Sequence, residues 1–155
     1  MYPRAELDEN ASVATRVLII EDDASVGAAV AMTLEREGHV AVHALDADTA
    51  IEAFESSSFD LAIVDIFIPG SNGIEVIVRF KKHSPAIPLL AISGFRFRSS
   101  MDPEMDFLAL AANAGAAVCM RKPFTPRQLM TAVHASLDRT LALITASESE
   151  TAGRG

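Results

Sequence analysis

The sequence predicts a doubly wound α/β domain built on an open, parallel sheet of five strands. Short apolar runs alternate with helical apolar periods five times along the chain, which is typical of successive βα units. The runs are continuously apolar, as in strands that helices cover on both faces. Several of them end in acidic or other polar residues. Because such sheets bind ligands outside the carboxyl ends of their strands, the function is to be sought at that edge.

Composition and charge restrict the class of protein. The chain has 155 residues, of which 50% are apolar, enough for one domain with a full core. Its 13 Lys and Arg against 21 Asp and Glu give a net charge of −8, so no global basic field attracts nucleic acid or a membrane surface. The single cysteine forms no internal disulfide, and neither a signal peptide nor a membrane-spanning run is evident. We expect a soluble, cytoplasmic protein.

The chain divides into a folded domain at residues 16–143 and two ends, residues 1–15 and 144–155. Both ends lack a sustained apolar period and are rich in small and charged residues. Such segments bury too little apolar surface to offset the entropy lost when a chain becomes ordered. We therefore expect both ends to be flexible.

The first two βα units are read from strand and capping signals. RVLIIEDD (16–23) is a buried strand closed by acids, and Gly38 is suited to end the helix after it. That helix has its inner positions at Val26, Val30, Thr33 and Leu34. Residues 39–45 form the second strand, and Asp46 or Asp48 caps the second helix. The inner face of the second helix carries Ala47, Ile51 and Phe54.

The next two units follow the same pattern. LAIVD (61–65) is the third strand, again closed by an acid, and a turn at 69–73 leads to a third helix that ends near His83. The apolar residues that begin this helix are Ile74, Ile77 and Val78. Residues 87–93 form the fourth strand. A fourth helix starts near Pro103 and stops at Gly115, and its apolar stripe consists of Phe107, Leu110, Ala111 and Ala114.

The last unit has the strongest local signals. Residues 116–122 form the fifth strand. Thr125 and Gln128 have the spacing of a capping box, and Pro126 stands at the first helical position. The fifth helix is therefore predicted to begin there, with Leu129, Val133 and Leu137 repeating along its inner face.

Four strand ends carry side chains that fit one pocket. In chain order they end in Glu21-Asp22-Asp23, Asp65, Ser93 and Lys122. Clustered carboxylates repel one another unless a cation lies between them, and an all-oxygen ligand set suits Mg²⁺. A carboxylate beside such a metal can attack phosphorus while a lysine offsets the remaining negative charge. These residues predict Mg²⁺-assisted phosphoryl transfer to an aspartate.

The same motifs resemble those of the response-regulator receiver domains of bacterial two-component systems. The resemblance covers about residues 16–140 and rests on IIEDD (19–23), DIFIPGSNG (65–73), Ser93-Gly94 and RKPF (121–124). Each motif alone is weak or moderate, but all of them in order, each at a strand end, form a highly specific pattern. The resemblance implies a flavodoxin-like sheet with the strand order 2-1-3-4-5, as in the chemotaxis receivers.

The resemblance also implies the ligands of the metal. Asp65 matches the phosphoacceptor, which also contacts Mg²⁺. Asp22 matches the direct Mg²⁺ ligand, and Glu21 the acid that reaches the metal through water. Phe67 would supply its backbone carbonyl, so its apolar side chain does not exclude metal binding. Asp23 is then a neighbour of the site rather than a ligand.

Two further positions match residues that contact the phosphoryl group. Ser93 stands at the family's Thr/Ser position. Lys122 matches the phosphoryl-binding lysine, and its bond to Pro123 is typically cis in this family. The switch position, three residues before Lys122, is commonly aromatic and here is Cys119. No ring rotation is possible there, and a small buried residue is a better interpretation than a redox sensor.

The loop at 94–104, after the fourth strand, is longer than is usual in the family. It contains Phe95-Arg96-Phe97-Arg98, which either packs on the fourth helix or forms a recognition loop. The histidines at 39, 43, 83 and 134 have no metal-ligand spacing and are interpreted as structural or exposed.

We expect a stand-alone receiver, because only a short tail follows the fifth helix. Asp65 would take a phosphoryl group from a histidine kinase or histidine phosphotransfer protein, and the change would alter contacts with an unknown downstream protein. The chain would be a monomer or weak dimer, would bind neither nucleic acid nor membrane directly, and would be no enzyme beyond self-catalysed phosphotransfer and autodephosphorylation.

Two alternatives remain open from the residues. One is an aspartyl-phosphate hydrolase of the dehalogenase-like kind, which needs a second aspartate where Phe67 stands. The other is a degenerate receiver that only binds proteins, which Phe67 and Cys119 make conceivable. The complete set of acceptor, metal and phosphoryl-binding residues argues against it.

Overall fold

The computed structural model describes residues 14–67, 73–94 and 110–138. The strands are β1 (Arg16–Ile20), β2 (Val40–Ala44), β3 (Leu61–Asp65), β4 (Leu89–Ser93) and β5 (Val118–Arg121). The helices are α1 (Ala24–Arg36), α2 (Ala47–Ser56) and α3 (Gly73–His83), with α4 described over 110–114 and α5 over 126–138. Strand and helix alternate throughout, as predicted.

The sheet is parallel, and its strand order is β2-β1-β3-β4-β5. Both the doubly wound fold and the order 2-1-3-4-5 are therefore confirmed. The central strands β3 and β4 are buried at every residue. The edge strands β2 and β5 are largely half-buried, because among the described strands each has a neighbour on one side only.

Two core layers lie on opposite faces of the sheet. Leu18 and Ile20 of β1 contribute to the layer under α2 and α3, whereas Val17 and Ile19 contribute to the layer under α1 and α5. Successive side chains of a strand point to opposite faces, so a strand covered on both sides must be apolar at every position. This explains the continuous apolar runs of the sequence.

Helix ends follow the capping residues. The Asp23 carboxylate accepts hydrogen bonds from the N–H groups of Ser25 and Val26, at 2.9 and 3.1 Å, and begins α1. Gly38, with a φ of +86°, follows the end of α1, a left-handed conformation that glycine adopts without strain. Asp46, rather than Asp48, caps α2 by accepting from the Thr49 N–H at 2.7 Å.

The capping box of α5 is confirmed in both directions. The Thr125 N–H donates to the side chain of Gln128 at 2.8 Å, and the Gln128 N–H donates to Thr125 Oγ1 at 3.1 Å. Two N–H groups that the first helical turn leaves without a helical partner are thereby satisfied. The start of α5 was thus predictable from sequence alone.

Strand ends are where the prediction was less accurate. The first, second, fourth and fifth strands are shorter than predicted, because the paired residues cover only part of each predicted strand. β1 is shorter at its end, β4 at its start, and β2 and β5 at both. Leu110 is 49% exposed, so it does not belong to the buried stripe of the fourth helix, whereas Ala111 does. Some predicted features lie outside the described residues. These are the start of the fourth helix, Phe107, the segment 95–98, most of the 69–73 turn, residues 1–13 and the tail at 144–155. No described helix is long and apolar enough to cross a membrane, and a cytoplasmic location stays a prediction.

Candidate functional site

The carboxyl edge of the sheet brings three carboxylates together. Ile20 pairs with Val64 across β1 and β3. Glu21, directly after β1, and Asp65, the last residue of β3, therefore lie side by side at the carboxyl edge of the sheet. Asp22 follows in the β1–α1 turn. Carboxylate oxygens of these three acids lie within 4.8 Å of one another. Residues 43 positions apart in sequence thus form one acidic cluster, as predicted from the strand ends.

Burial differs within the acidic cluster. Glu21 and Asp65 are each only 4% exposed, whereas Asp22 is exposed to solvent. Two ionisable groups are therefore held where water stabilises their charges poorly, and the third faces the open side. A buried carboxylate needs a charge partner or hydrogen bonds to remain ionised.

Lys122 supplies that partner. Its Nζ donates to Glu21 Oε2 at 2.7 Å and to Asp65 Oδ2 at 3.1 Å. The residue reaches the site because its own N–H bonds to the Ser93 carbonyl at 2.8 Å, which continues the β4–β5 pairing by one step. The Lys122–Pro123 bond is cis, as the family resemblance implied.

One ammonium does not balance two buried carboxylates. Burial raises the pKa of Glu21 to about 7, although the Lys122 hydrogen bond lowers it, and the Asp65 charge raises it further. For Lys122, burial lowers the pKa, but the hydrogen bond to Glu21 and the charge of Asp65 outweigh it, so its pKa is raised. Lys122 is therefore cationic at neutral pH, whereas Glu21 binds a proton more readily than an exposed carboxylate does. The site favours a further cation.

Hydrogen bonds orient the Asp65 carboxylate. Its Oδ1 accepts from the Phe67 N–H at 2.9 Å, and its Oδ2 accepts from Lys122. The Phe67 side chain packs against the core layer under α2 and α3. The chain after β3 therefore lies close beside the carboxylate, and the expected use of the Phe67 carbonyl as a metal ligand stays a prediction.

Ser93 ends β4 beside this site. It is fully buried, and its Oγ has no hydrogen-bond partner among the described residues. A buried hydroxyl left unpaired costs on the order of 1–3 kcal/mol, so such a group calls for a polar partner. In the strand register, Ile92 of β4 lies opposite Asp65 of β3. Ser93, the next residue of β4, therefore lies one position further toward the carboxyl edge than Asp65.

Comparison with known proteins identifies the family. The sequence profile of the response regulator receiver domain matches residues 17–134. The chain belongs to the response regulator receiver domain family. Response regulators are components of two-component systems, and the receiver accordingly acts in two-component signal transduction.

Relatives of the receiver include longer regulators. It is 34% identical over 122 residues to the uncharacterized transcriptional regulatory protein YcbL of Bacillus subtilis, covering 79% of this chain and 50% of that protein. It is 29% identical over 133 residues to the alkaline phosphatase synthesis transcriptional regulatory protein PhoP of the same species, covering 86% and 52%. The chain thus spans about half the length of these relatives, and stand-alone action stays a prediction.

Solved structures match the receiver fold. A CheY-like receiver domain protein from Methanospirillum hungatei JF-1 superposes with a TM-score of 0.74 at 27% identity, covering 84% of this chain and 98% of that one. The receiver domain of NtrX from Brucella abortus superposes with a TM-score of 0.71 at 28% identity, covering 79% and 98%. Nearly the whole of each isolated receiver domain therefore has a counterpart here.

Cys119 departs from what was predicted for it. It lies in the edge strand β5, opposite Ala91, and packs against one core layer. It is half-buried rather than buried, because β5 is an edge strand of the sheet that the described residues form. The redox alternative stays a prediction.

One contact of the receiver site was missed at the sequence level. His43 Nε2 lies 2.8 Å from the backbone carbonyl of Glu21. The sequence offered only a histidine near the end of a predicted strand, interpreted as structural or exposed. The structural interpretation is confirmed for His43, and the exposed one for His83 and His134.

Proposed function

We propose that the receiver accepts a phosphoryl group on Asp65 in a Mg²⁺-dependent reaction. The observation that carries this proposal is the juxtaposition of Asp65 with two further acids and the ammonium of Lys122. Phosphoryl transfer to aspartate requires a nucleophilic carboxylate, an acidic pair that suits a hard cation, and the positive charge of a flexible lysine side chain.

The donor set fits Mg²⁺. It consists of carboxylates alone within the described residues, and hard divalent cations prefer oxygen ligands. Burial raises the pKa of Glu21, so the described residues stabilise its carboxylate form poorly. Asp22, Asp65 and the Phe67 carbonyl would hold the ion directly, and Glu21 through water. When bound, Mg²⁺ would screen the negative charge of an incoming phosphoryl group.

The chain's own residues would then carry out the transfer. A carboxylate oxygen of Asp65 forms the new P–O bond while the P–N bond of a phosphohistidine breaks, and the electron pair stays on the imidazole nitrogen. Lys122 Nζ moves from the carboxylates to a phosphoryl oxygen. Ser93 Oγ, which has no partner among the described residues, donates to another oxygen.

The donor in this proposal is a histidine kinase or a histidine phosphotransfer protein. A cavity of about 450 Å³ lies between α1 and the segment from Lys122 to α5, and apolar side chains line it. These are mainly Val26, Val30, Phe124 and Leu129. An apolar surface directly beside Lys122 offers a donor protein a contact next to the acceptor. The downstream partner is a protein that recognises the phosphorylated form.

Labelling with a phosphodonor tests the proposal. Wild-type protein is incubated with Mg²⁺ and either a phosphorylated kinase or a small phosphodonor. We expect an acid-resistant, base-labile label that Asp65→Asn and chelation of the metal both abolish. Label on the Asp65→Asn variant contradicts the proposal. Continuous release of phosphate from a substrate indicates the hydrolase alternative, and absence of label indicates a degenerate receiver.

A further inference from the structure

We infer that His43 is a positioning residue for the acidic cluster, acting through the backbone of Glu21. Both backbone groups of Glu21 are bound to β2. Its N–H donates to the Ala44 carbonyl at 3.1 Å, and its carbonyl accepts from His43 Nε2 at 2.8 Å. Since a carbonyl only accepts, His43 carries a proton on Nε2. The inference rests on the proposed function, because it concerns how that metal site is held.

Gly27 makes this contact possible. α1 passes over the His43 ring, and a Cβ at position 27 would fall within that ring. Glycine inside a helix is less favourable than alanine, because its backbone loses more conformational freedom on folding. Gly27 is a buried residue of the first turn of α1, whose N-cap is Asp23, so Gly27 has no capping role to explain this cost. The space that the imidazole occupies explains it.

The hydrogen bond from His43 orients the proposed metal ligands because it fixes the peptide plane between Glu21 and Asp22. The Glu21 carbonyl belongs to the planar unit that leads into Asp22, so a fixed carbonyl fixes the direction in which Asp22 leaves β1. The Glu21 side chain is held separately, by the Asp23 N–H at 3.2 Å and by Lys122. Without the imidazole, the Glu21–Asp22 peptide is free to rotate, and both acids shift relative to Asp65.

Magnesium binding by the full chain tests this role. We expect His43→Phe to weaken Mg²⁺ binding about 10-fold, as loss of groups that orient metal ligands typically does. His43→Gln, which keeps an N–H donor, restores most of the affinity. Gly27→Ala, which displaces the ring, weakens binding as His43→Phe does. His134→Phe, the same change on an exposed face of α5, leaves the affinity unchanged. Calorimetry measures the affinities, and thermal unfolding checks the fold.

A double-mutant cycle and amide NMR shifts sharpen the test. In a His43→Ala background no ring is left for position 27 to displace, so Gly27→Ala should have no further effect on Mg²⁺ affinity. The amide signals of Glu21 and Asp22 should move in His43→Phe and not in His43→Gln. Wild-type affinity in His43→Phe, or equal losses in His43→Phe and His43→Gln, overturns the role of His43 and leaves the proposed function intact. Failure of the wild type to bind Mg²⁺ overturns both.

Discussion

Strand β3 is apolar and fully buried from Leu61 to Val64, and one residue later Asp65 is almost equally buried but carries a carboxylate. The same exclusion of water has opposite consequences in these two regions. In the strand interior it stabilises side chains that water solvates poorly. At the strand ends it raises the pKa of Glu21, which follows β1, to about 7. It also leaves the Ser93 hydroxyl, at the end of β4, without a hydrogen-bond partner among the described residues.

This difference shows that the polar groups available for chemistry lie at the strand ends of the receiver and not in the strand interiors. The strand interiors are stabilised by apolar packing and by the hydrogen bonds of the sheet. The strand ends contain a carboxylate whose charge is poorly stabilised and a hydroxyl without a hydrogen-bond partner among the described residues. A bound cation would stabilise the carboxylate, and a phosphoryl group would accept a hydrogen bond from the hydroxyl. Substitutions in the strand interiors should therefore lower the stability, whereas those at the strand ends should leave it unchanged or raise it.

The largest expected effect is in the strand interior. Ile63→Ala leaves a cavity in the core layer under α1 and α5, and we expect the free energy of unfolding to fall by about 2–5 kcal/mol. Asp65→Asn, two residues along the same strand, removes one of two repelling carboxylates while Lys122 keeps Glu21 as its ion-pair partner, and it should be neutral or stabilising, by about 0–2 kcal/mol in Mg²⁺-free buffer. Urea denaturation measures both. If Asp65→Asn destabilises as strongly as Ile63→Ala, the contrast between interior and edge is wrong.

The pH dependence of stability should reflect Glu21. Its pKa is about 7 in the folded protein, against an ordinary value of 4.5, so between these pH values the folded state binds the proton more tightly than the unfolded chain does. Stability from this group therefore falls as pH rises from about 4.5 to 7, by up to about 3 kcal/mol. The slope should be absent in Glu21→Gln and should weaken with saturating Mg²⁺, which favours the ionised carboxylate. Equal slopes in wild type and Glu21→Gln would contradict this origin.

Ser93→Ala separates stability from function. The hydroxyl has no hydrogen-bond partner among the described residues, so its removal should leave the free energy of unfolding unchanged or raise it by up to about 3 kcal/mol. Phosphorylation of Asp65 should slow by about 10- to 150-fold, since a hydrogen bond to a charged oxygen is worth about 1.5–3 kcal/mol. Initial rates of labelling measure this. A normal rate in Ser93→Ala excludes the proposed contact with the phosphoryl group.

The smallest effect is expected at Cys119. It packs at a half-buried position of an edge strand, so Cys119→Ala should cost about 1 kcal/mol or less and leave labelling of Asp65 unchanged. Mild oxidation should leave wild-type labelling unchanged as well. Loss of labelling on oxidation that Cys119→Ala prevents would revive the redox alternative.

Local signals made much of the fold predictable. Apolar runs marked the strands, and Asp46, Gly38 and the Thr125–Gln128 pair marked helix ends, because each of these features acts within a few residues of itself. The strand order came from the family resemblance. The limits of the strands and the exposure of Leu110 were mispredicted, because they depend on which neighbour covers each residue.

The sequence by itself determined that acids, a serine and a lysine stand at the strand ends, and this was enough to predict the acidic cluster around Asp65. Only the tertiary structure decided how these groups share charge, since Lys122 bonds to Glu21 across 101 positions of the chain. The contact between His43 and the Glu21 carbonyl likewise exists only because β2 lies beside β1 and α1 crosses above. Hydrogen bonds and desolvation depend on distances of a few ångströms, which the order of residues alone does not specify.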